Sequence, residues 1–109
     1  MNNQDILTAA NRALTEGNYD EFITYCAEDI KWECVGERTF NGKAELLAYI
    51  SSTYDGLAFT TENYIREKDF VVELGQIVFE KNGESKECSY CDVWRFKDGM
   101  ISQVTSFVI

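Results

Sequence analysis

Histidine and proline are both absent from the 109 residues. Without histidine the chain lacks the usual general base, the usual partner of an activated nucleophile and the commonest metal ligand. Any chemistry must therefore use Asp, Glu, Tyr, Cys, Lys or water. Cations are scarce as well, with 10 Lys and Arg against 19 Asp and Glu and a net charge of −9. That balance, with no basic cluster, argues against nucleic acid or an anionic membrane surface as partner. No apolar run approaches the roughly 20 residues that a spanning helix needs. The first five residues, Met1 to Asp5, are polar and do not read as a signal peptide. The expectation is a cytoplasmic protein whose four cysteines are thiols.

What is present is a core. Hydrophobic residues make up 45% of the chain and aromatic residues 14%, too much for disorder and enough for one domain spanning residues 1–109. From Asp5 to Thr15, Ile6, Ala9, Ala10, Ala13 and Leu14 recur at helical spacing, and Gly17 follows as a C-terminal cap. Asn18, with Glu21 three residues on, reads as the capping box of a second, shorter helix. Ile30 to Val35 alternates as a strand with Ile30, Trp32 and Cys34 on one face. Gly36 to Asn41 reads as a loop, and Asn41-Gly42 opens a third helix that Asp55-Gly56 breaks. Beyond it the chain stays extended through Ala58–Arg66, Phe70–Glu80, Ser85–Phe96 and Met100–Val108. Helices first and a meander afterwards predict an α+β fold, with three N-terminal helices packed on a curved antiparallel sheet.

One turn determines much of that sheet. Asn82-Gly83 favours a two-residue type I′ hairpin, and such a turn sets the pairing of its strands. Counting outward, Gly75 lies opposite Tyr90 and Glu73 directly opposite Asp92. One face then carries Val71, Glu73, Ile77, Tyr90, Asp92 and Trp94; the other carries Val72, Leu74, Val78, Cys91, Val93 and Arg95. Both are apolar enough to be covered, one by the helices and the other by a partner subunit. Two carboxylates facing each other in an apolar cavity tend to share a proton, which suits proton transfer at neutral pH. The plainer reading, a solvated pair near the sheet edge, stays open.

The order of elements, with Glu16-Gly17-Asn18-Tyr19-Asp20, Tyr25-Cys26-Ala27-Glu28-Asp29-Ile30-Lys31-Trp32-Glu33, Phe40-Asn41-Gly42-Lys43-Ala44-Glu45-Leu46 and Cys91-Asp92-Val93-Trp94-Arg95-Phe96-Lys97-Asp98-Gly99-Met100-Ile101, resembles the nuclear-transport-factor-2-like (NTF2-like, cystatin-like) superfamily. The nearer likeness is to its SnoaL-like and ketosteroid-isomerase-like branch. The resemblance implies a cone with an apolar pocket between helices and sheet, and a homodimer through the outer sheet face. It places Asp92 at the isomerases' oxyanion-stabilising aspartate, but puts Cys34 at their base and Ala10 at their first-helix tyrosine. Steroid isomerisation by that route is therefore not expected unless Glu73 or Cys34 serves as base. The Asp-Arg-Asp cluster of the limonene-epoxide-hydrolase relatives does not transfer either, since Arg95 is an odd number of residues from Asp92.

Cys88-Ser89-Tyr90-Cys91 spells CxxC, but in a strand its two side chains diverge, so packing is the expected role. No metal and no organic cofactor is implied. The candidate catalytic pair is Asp92, as acid or oxyanion donor, and Glu73, as base. Trp32, Cys34, Tyr90, Trp94, Val104 and Tyr49 are the candidate pocket wall. In the last strand a three-residue turn puts Val104 beside Asp92, while a two-residue turn puts Thr105 there. The resemblance favours the former, with Val104, Ser106 and Val108 inward. The functional expectation is a small apolar molecule bound in the pocket, with isomerase, dehydratase or cyclase chemistry as the catalytic version. A non-catalytic ligand-binding or dimerisation domain is the alternative.

Overall fold

The computed structural model describes residues 1–55 and 57–109, so the Gly56 half of the expected Asp55-Gly56 break lies outside the described residues. Helix α1 (Asn3–Thr15) starts on a capping box between Asn2 and Asp5. It ends on a Schellman turn, in which Gly17 takes φ +77° and the Asn18 amide reaches the Ala13 carbonyl at 2.8 Å. Its buried stripe is Leu7, Ala10, Asn11, Ala13 and Leu14. Ile6 and Ala9, expected on that stripe, sit at its margin or outside it. Helix α2 (Tyr19–Thr24) follows, but Asn18 makes no side-chain cap bond, so the expected second capping box does not form.

Strand β1 (Cys26–Cys34) begins four residues earlier than the alternation indicates. The expected loop that follows contains a short strand, β2 (Arg38–Asn41). Thr39 and Phe40 suit a strand, and Phe40 is drawn inward to stack on Tyr49, with centroids 4.1 Å apart. Helix α3 (Gly42–Thr53) therefore comes after a hairpin, burying Leu46 and Ile50 against β1. The remaining strands are β3 (Ala58–Glu67), β4 (Phe70–Lys81), β5 (Glu84–Lys97) and β6 (Met100–Val108). The six strands form one sheet in the order β2-β1-β6-β5-β4-β3.

That order corrects the expectation of a purely antiparallel sheet. The meander carries β6 back to the free edge of β1, and the two run parallel. The fold is mixed α+β, with the core enclosed between the three helices and one face of the sheet.

The β4–β5 hairpin has the expected register along its whole length, from Lys81 opposite Glu84 to Glu73 opposite Asp92. Asn82 and Gly83 both take positive φ, as a type I′ turn requires. The β5–β6 register matches neither expected alternative. Its turn has two residues, Asp98 and Gly99, again both at positive φ. A bulge then follows: Phe96 pairs with Ile101 and Arg95 with Gln103, leaving Ser102 unpaired and its hydroxyl donating to the Arg95 carbonyl at 3.1 Å. The extra residue places Ser106, rather than Val104 or Thr105, opposite Asp92, and Val104 opposite Trp94.

A second bulge shapes β3. Thr61 pairs with Gly75 and Asn63 with Leu74, so Glu62 is the extra residue. Thr61 and Tyr64, three apart, would face opposite ways in a regular strand. The bulge turns both toward the helices.

Gly75 does for β4 what no other residue could. A Cβ there would stand 2.6 Å from the Tyr90 ring and hydroxyl and overlap the Thr60 carbonyl. The glycine leaves a slot across which the Tyr90 ring lies. Gly75→Ala is expected to cost about 1–3 kcal/mol by overpacking, read as a lower urea midpoint with an unchanged slope. An alanine variant as stable as the parent would show that the ring does not need the slot.

Candidate functional site

Glu73 accepts more side-chain hydrogen bonds than any other described residue. It is 1% exposed, in the middle of β4. Its Oε1 accepts from the Asn11 side-chain amide at 2.9 Å and the Trp94 indole at 3.1 Å. Its Oε2 accepts from the Tyr90 hydroxyl at 2.5 Å and the Thr61 hydroxyl at 2.8 Å. The indole and the amide can only donate. Four donors from α1, β3 and β5 thus converge on one carboxylate, and Asn11 also donates to the Tyr64 hydroxyl at 3.1 Å. A base needs a lone pair free to meet a substrate proton, and all four of the ordinary acceptor positions of Glu73 are taken.

Asp92, its neighbour across the hairpin, has the opposite situation. It is 7% exposed, and its Oδ1 is buried without a hydrogen-bond partner among the described residues. Burial raises its pKa to about 7; the Ser106 hydroxyl pulls the value down, and the charge of Glu73 pushes it up. The acid that faces the cavity therefore divides between its two protonation states near neutral pH.

The cavity measures about 50 Å³. Asp92 and Glu73 share its wall with Trp94 and Tyr90 from β5, Tyr49 and Tyr54 from α3 and the segment after it, and Phe59 from β3. Leu14, Leu57, Ile77, Phe79 and Val108 add to the apolar part. Two ring pairs stand nearly perpendicular: Tyr54 to Phe59 at 6.2 Å and Phe59 to Tyr90 at 6.4 Å. Burial raises the pKa of Tyr49, Tyr54 and Tyr90, the last helped by its bond to Glu73, so all three stay neutral phenols at ordinary pH.

Of the residues expected on this wall, Asp92, Glu73, Tyr90, Trp94 and Tyr49 are brought together, while three lie elsewhere. Trp32 is one layer deeper, packed edge-on against Trp94 at 5.5 Å and Tyr49 at 6.1 Å. Val104, fully buried, pairs with both tryptophans and is screened by them. Cys34 lies beyond Tyr49, its thiol 3.5 Å from that hydroxyl, and lines a separate surface groove with Arg38 and Phe40. Strand alternation gave the right side of the sheet for all three but carries no information about depth. Asn11, Thr61, Tyr54 and Phe59 were not expected, while Ser106, expected inward, does line the cavity. Only Asn11 left a sequence signal: a polar residue on the helix stripe set by Leu7, Ala10 and Leu14.

Arg95 extends from the outer face over the Phe70 ring, with the guanidinium carbon 5.7 Å from its centroid, away from Asp92. Cys26, Cys34, Cys88 and Cys91 are all free thiols, and Cys88 and Cys91 sit at alternate-face positions of β5.

The model of the SnoaL-like domain family matches residues 7–104. No curated protein matches the chain by sequence. Solved structures do match by shape. An NTF2-like protein of unknown function from Cytophaga hutchinsonii superposes with a TM-score of 0.83 at 21% identity, over 99% of this chain and 100% of that one. An LEH-like epoxide hydrolase from M. tuberculosis gives 0.85 at 15% identity, over 96% and 80%. A protein proposed to be a SnoaL-like polyketide cyclase from Shewanella putrefaciens gives 0.83 at 17% identity, over 99% and 80%. At these identities the likeness is one of fold.

Asp92 also makes the protein's stability depend on pH. Below its unfolded pKa of 3.8 the group is protonated in both states. Between there and about 7 the folded state holds a proton that the unfolded state has lost, so stability falls as pH rises through that window. Asp92→Asn, which mimics the protonated acid, is expected to be more stable than the parent at pH 8, by on the order of 4 kcal/mol. The gap should close to near zero at about pH 4 in urea melts. A gap independent of pH would contradict the assignment.

Proposed function

Since the chain belongs to the SnoaL-like domain family, on a match over residues 7–104, we propose that its cavity binds a small molecule and that Asp92 exchanges a proton with it. The observation that carries this reading is the unpartnered Asp92 Oδ1 on the cavity wall, beside a Glu73 whose oxygens are all engaged. Asp92 is the catalytic residue, taking a proton as the carboxylate and returning it as the acid. Glu73 acts through its charge and by holding Tyr90 and Trp94 in place, rather than as the base. Tyr49, Tyr54, Phe59 and Trp94 hold the apolar part of the ligand. Isomerisation, dehydration and aldol-type cyclisation all reduce to such proton movements and need neither a metal nor an organic cofactor. Hydrolysis by an Asp-Arg-Asp cluster gains no support, because Arg95 lies on the other face.

Proton exchange at the α-carbon of acetone, a ketone small enough for the cavity, followed by NMR in D2O, tests the role. The protein is expected to accelerate it, with a rate that climbs to a plateau above about pH 7 as Asp92 ionises, and Asp92→Asn to lose about 100-fold or more. Equal exchange by the variant would refute the catalytic reading. The cavity size favours a second reading. At about 50 Å³ it falls below the roughly 300–1,000 Å³ of pockets for drug-sized ligands, as suits a domain that only binds or assembles.

The outer face of the sheet carries half-buried Val72, Leu74, Val78 and Val93, with Phe70 and Phe107 exposed beside them. We propose that a second copy covers this face, and the four free thiols fit a reducing compartment such as the cytoplasm. Sedimentation is expected to show a dimer that Leu74→Lys converts to a monomer. A parent that stays monomeric at about 100 µM, roughly a hundred times a micromolar dissociation constant, would exclude it.

A further inference from the structure

The cavity has a charge problem that the fold leaves open. Two acids reach it, and no lysine or arginine is among the described residues that line it. The chain has no histidine to fill that role. Four hydrogen bonds disperse the charge of Glu73 without cancelling it. Asp92 has one buried oxygen with no partner among the described residues. Around them stand Tyr49, Tyr54, Phe59, Tyr90 and Trp94, with the Phe59 ring at 83° to Tyr54 and 82° to Tyr90. Aromatic walls at right angles around a carboxylate are the arrangement that attracts alkylammonium ions, through ring quadrupoles and an ion pair in a site of low dielectric.

We propose that the ligand of this cavity is a compact organic cation, a small alkylammonium seated between the aromatic rings and the Asp92 carboxylate. The proposal rests on the reading that the cavity binds a small molecule, and it names the class. It also accounts for an acid left without a donor: an ammonium hydrogen, or the positive charge itself, supplies what the protein does not. The cavity volume of about 50 Å³ limits the cation to the methylammonium-to-trimethylammonium scale.

Charge coupling makes the proposal testable. A cation favours ionised Asp92, so binding at neutral pH releases a proton, and affinity rises with pH up to the pKa of about 7. The phenols that face Asp92 stay neutral through that range. From β4 it meets Glu73, from β5 Tyr90, and from α3 and its C-cap Tyr49 and Tyr54, whose phenols are pushed upward. From β6 it meets Ser106, and α1 and β3 contribute Asn11, Thr61 and Phe59 to the same cavity.

The experiment compares trimethylammonium chloride with tert-butanol, a neutral molecule of similar size, by calorimetry and NMR at about pH 5.5 and pH 8. Trimethylammonium is expected to bind about 10-fold or more tightly at pH 8, with a heat at pH 7 that varies with the buffer's ionisation enthalpy. Asp92→Asn should abolish the pH dependence, and Phe59→Leu should weaken the cation more than the alcohol. If tert-butanol binds as well as the cation at pH 8, the cation proposal falls while small-molecule binding stands. If neither binds at about 100 mM, both fall. A pH dependence that survives in Asp92→Asn would assign the binding to the acidic surface instead, and would equally overturn the proposal.

Discussion

The carboxylate of Glu73 is the point to which the rest of the structure is tied. Burying an ionised carboxyl costs several kcal/mol, and hydrogen bonds to a charged group offset it at roughly 1.5–3 kcal/mol each. Meeting that cost requires donors from several elements at once. Asn11 brings α1 down on the sheet, Thr61 commits β3, and Tyr90 and Trp94 commit β5. Features that look unrelated along the chain serve this one group. Gly75 leaves room for the Tyr90 ring, and the bulge at Glu62 turns Thr61 inward together with Tyr64. The Asn82-Gly83 turn sets the register that puts Tyr90 opposite Gly75 and Asp92 opposite Glu73.

The same network explains why the second acid differs from the first. Asn11, Thr61, Tyr90 and Trp94 direct their donors to Glu73, and Asp92 is left with a serine across the sheet and an unpartnered oxygen. Two carboxylates opposite each other in one hairpin thereby acquire separate roles from their surroundings. One is fixed by hydrogen bonds, and the other stays near its protonation midpoint at the edge of a cavity.

What can be read from the sequence follows from how local each determinant is. The β4–β5 pairing depends on two turn residues and a parity count, so the amino-acid order by itself places Glu73 opposite Asp92. The β5–β6 pairing depends on a bulge at Ser102, whose hydroxyl donates to the Arg95 carbonyl across the ladder. Nothing local in Met100-Ile101-Ser102-Gln103 announces it. Val104, Ser106 and Val108 nonetheless fall on the inward parity, because the longer turn and the bulge each move the count by one residue from the plain two-residue turn, in opposite directions. Trp32, Cys34 and Val104 show the limit of parity: a residue's face follows from alternation, but whether it lines a cavity depends on what packs in front. For Trp32 that is Trp94 and Tyr49. Asn11 is visible only as a polar residue on an apolar stripe, and its meaning requires a partner 62 positions away.

A buried acid that destabilises the folded state above neutral pH is a poor choice if stability is the only demand. Asparagine in its place would fill the same volume without a charge to desolvate, and serine would leave less unsatisfied. The fold is otherwise locally consistent, with its two type I′ turns, its capped first helix and its filled core. Among the described residues two buried side-chain atoms lack a partner, Asp92 Oδ1 and the Trp32 indole nitrogen one layer deeper. Proteins that agree across these levels and break the rule at a few positions commonly do so at a functional site. Here the broken rule, the aromatic walls and the missing counter-charge occupy the same few ångströms. That coincidence distinguishes the cavity from a packing defect. A packing defect needs no polar group on its wall, whereas this cavity sets aromatic rings and an unpartnered acid beside its aliphatic residues.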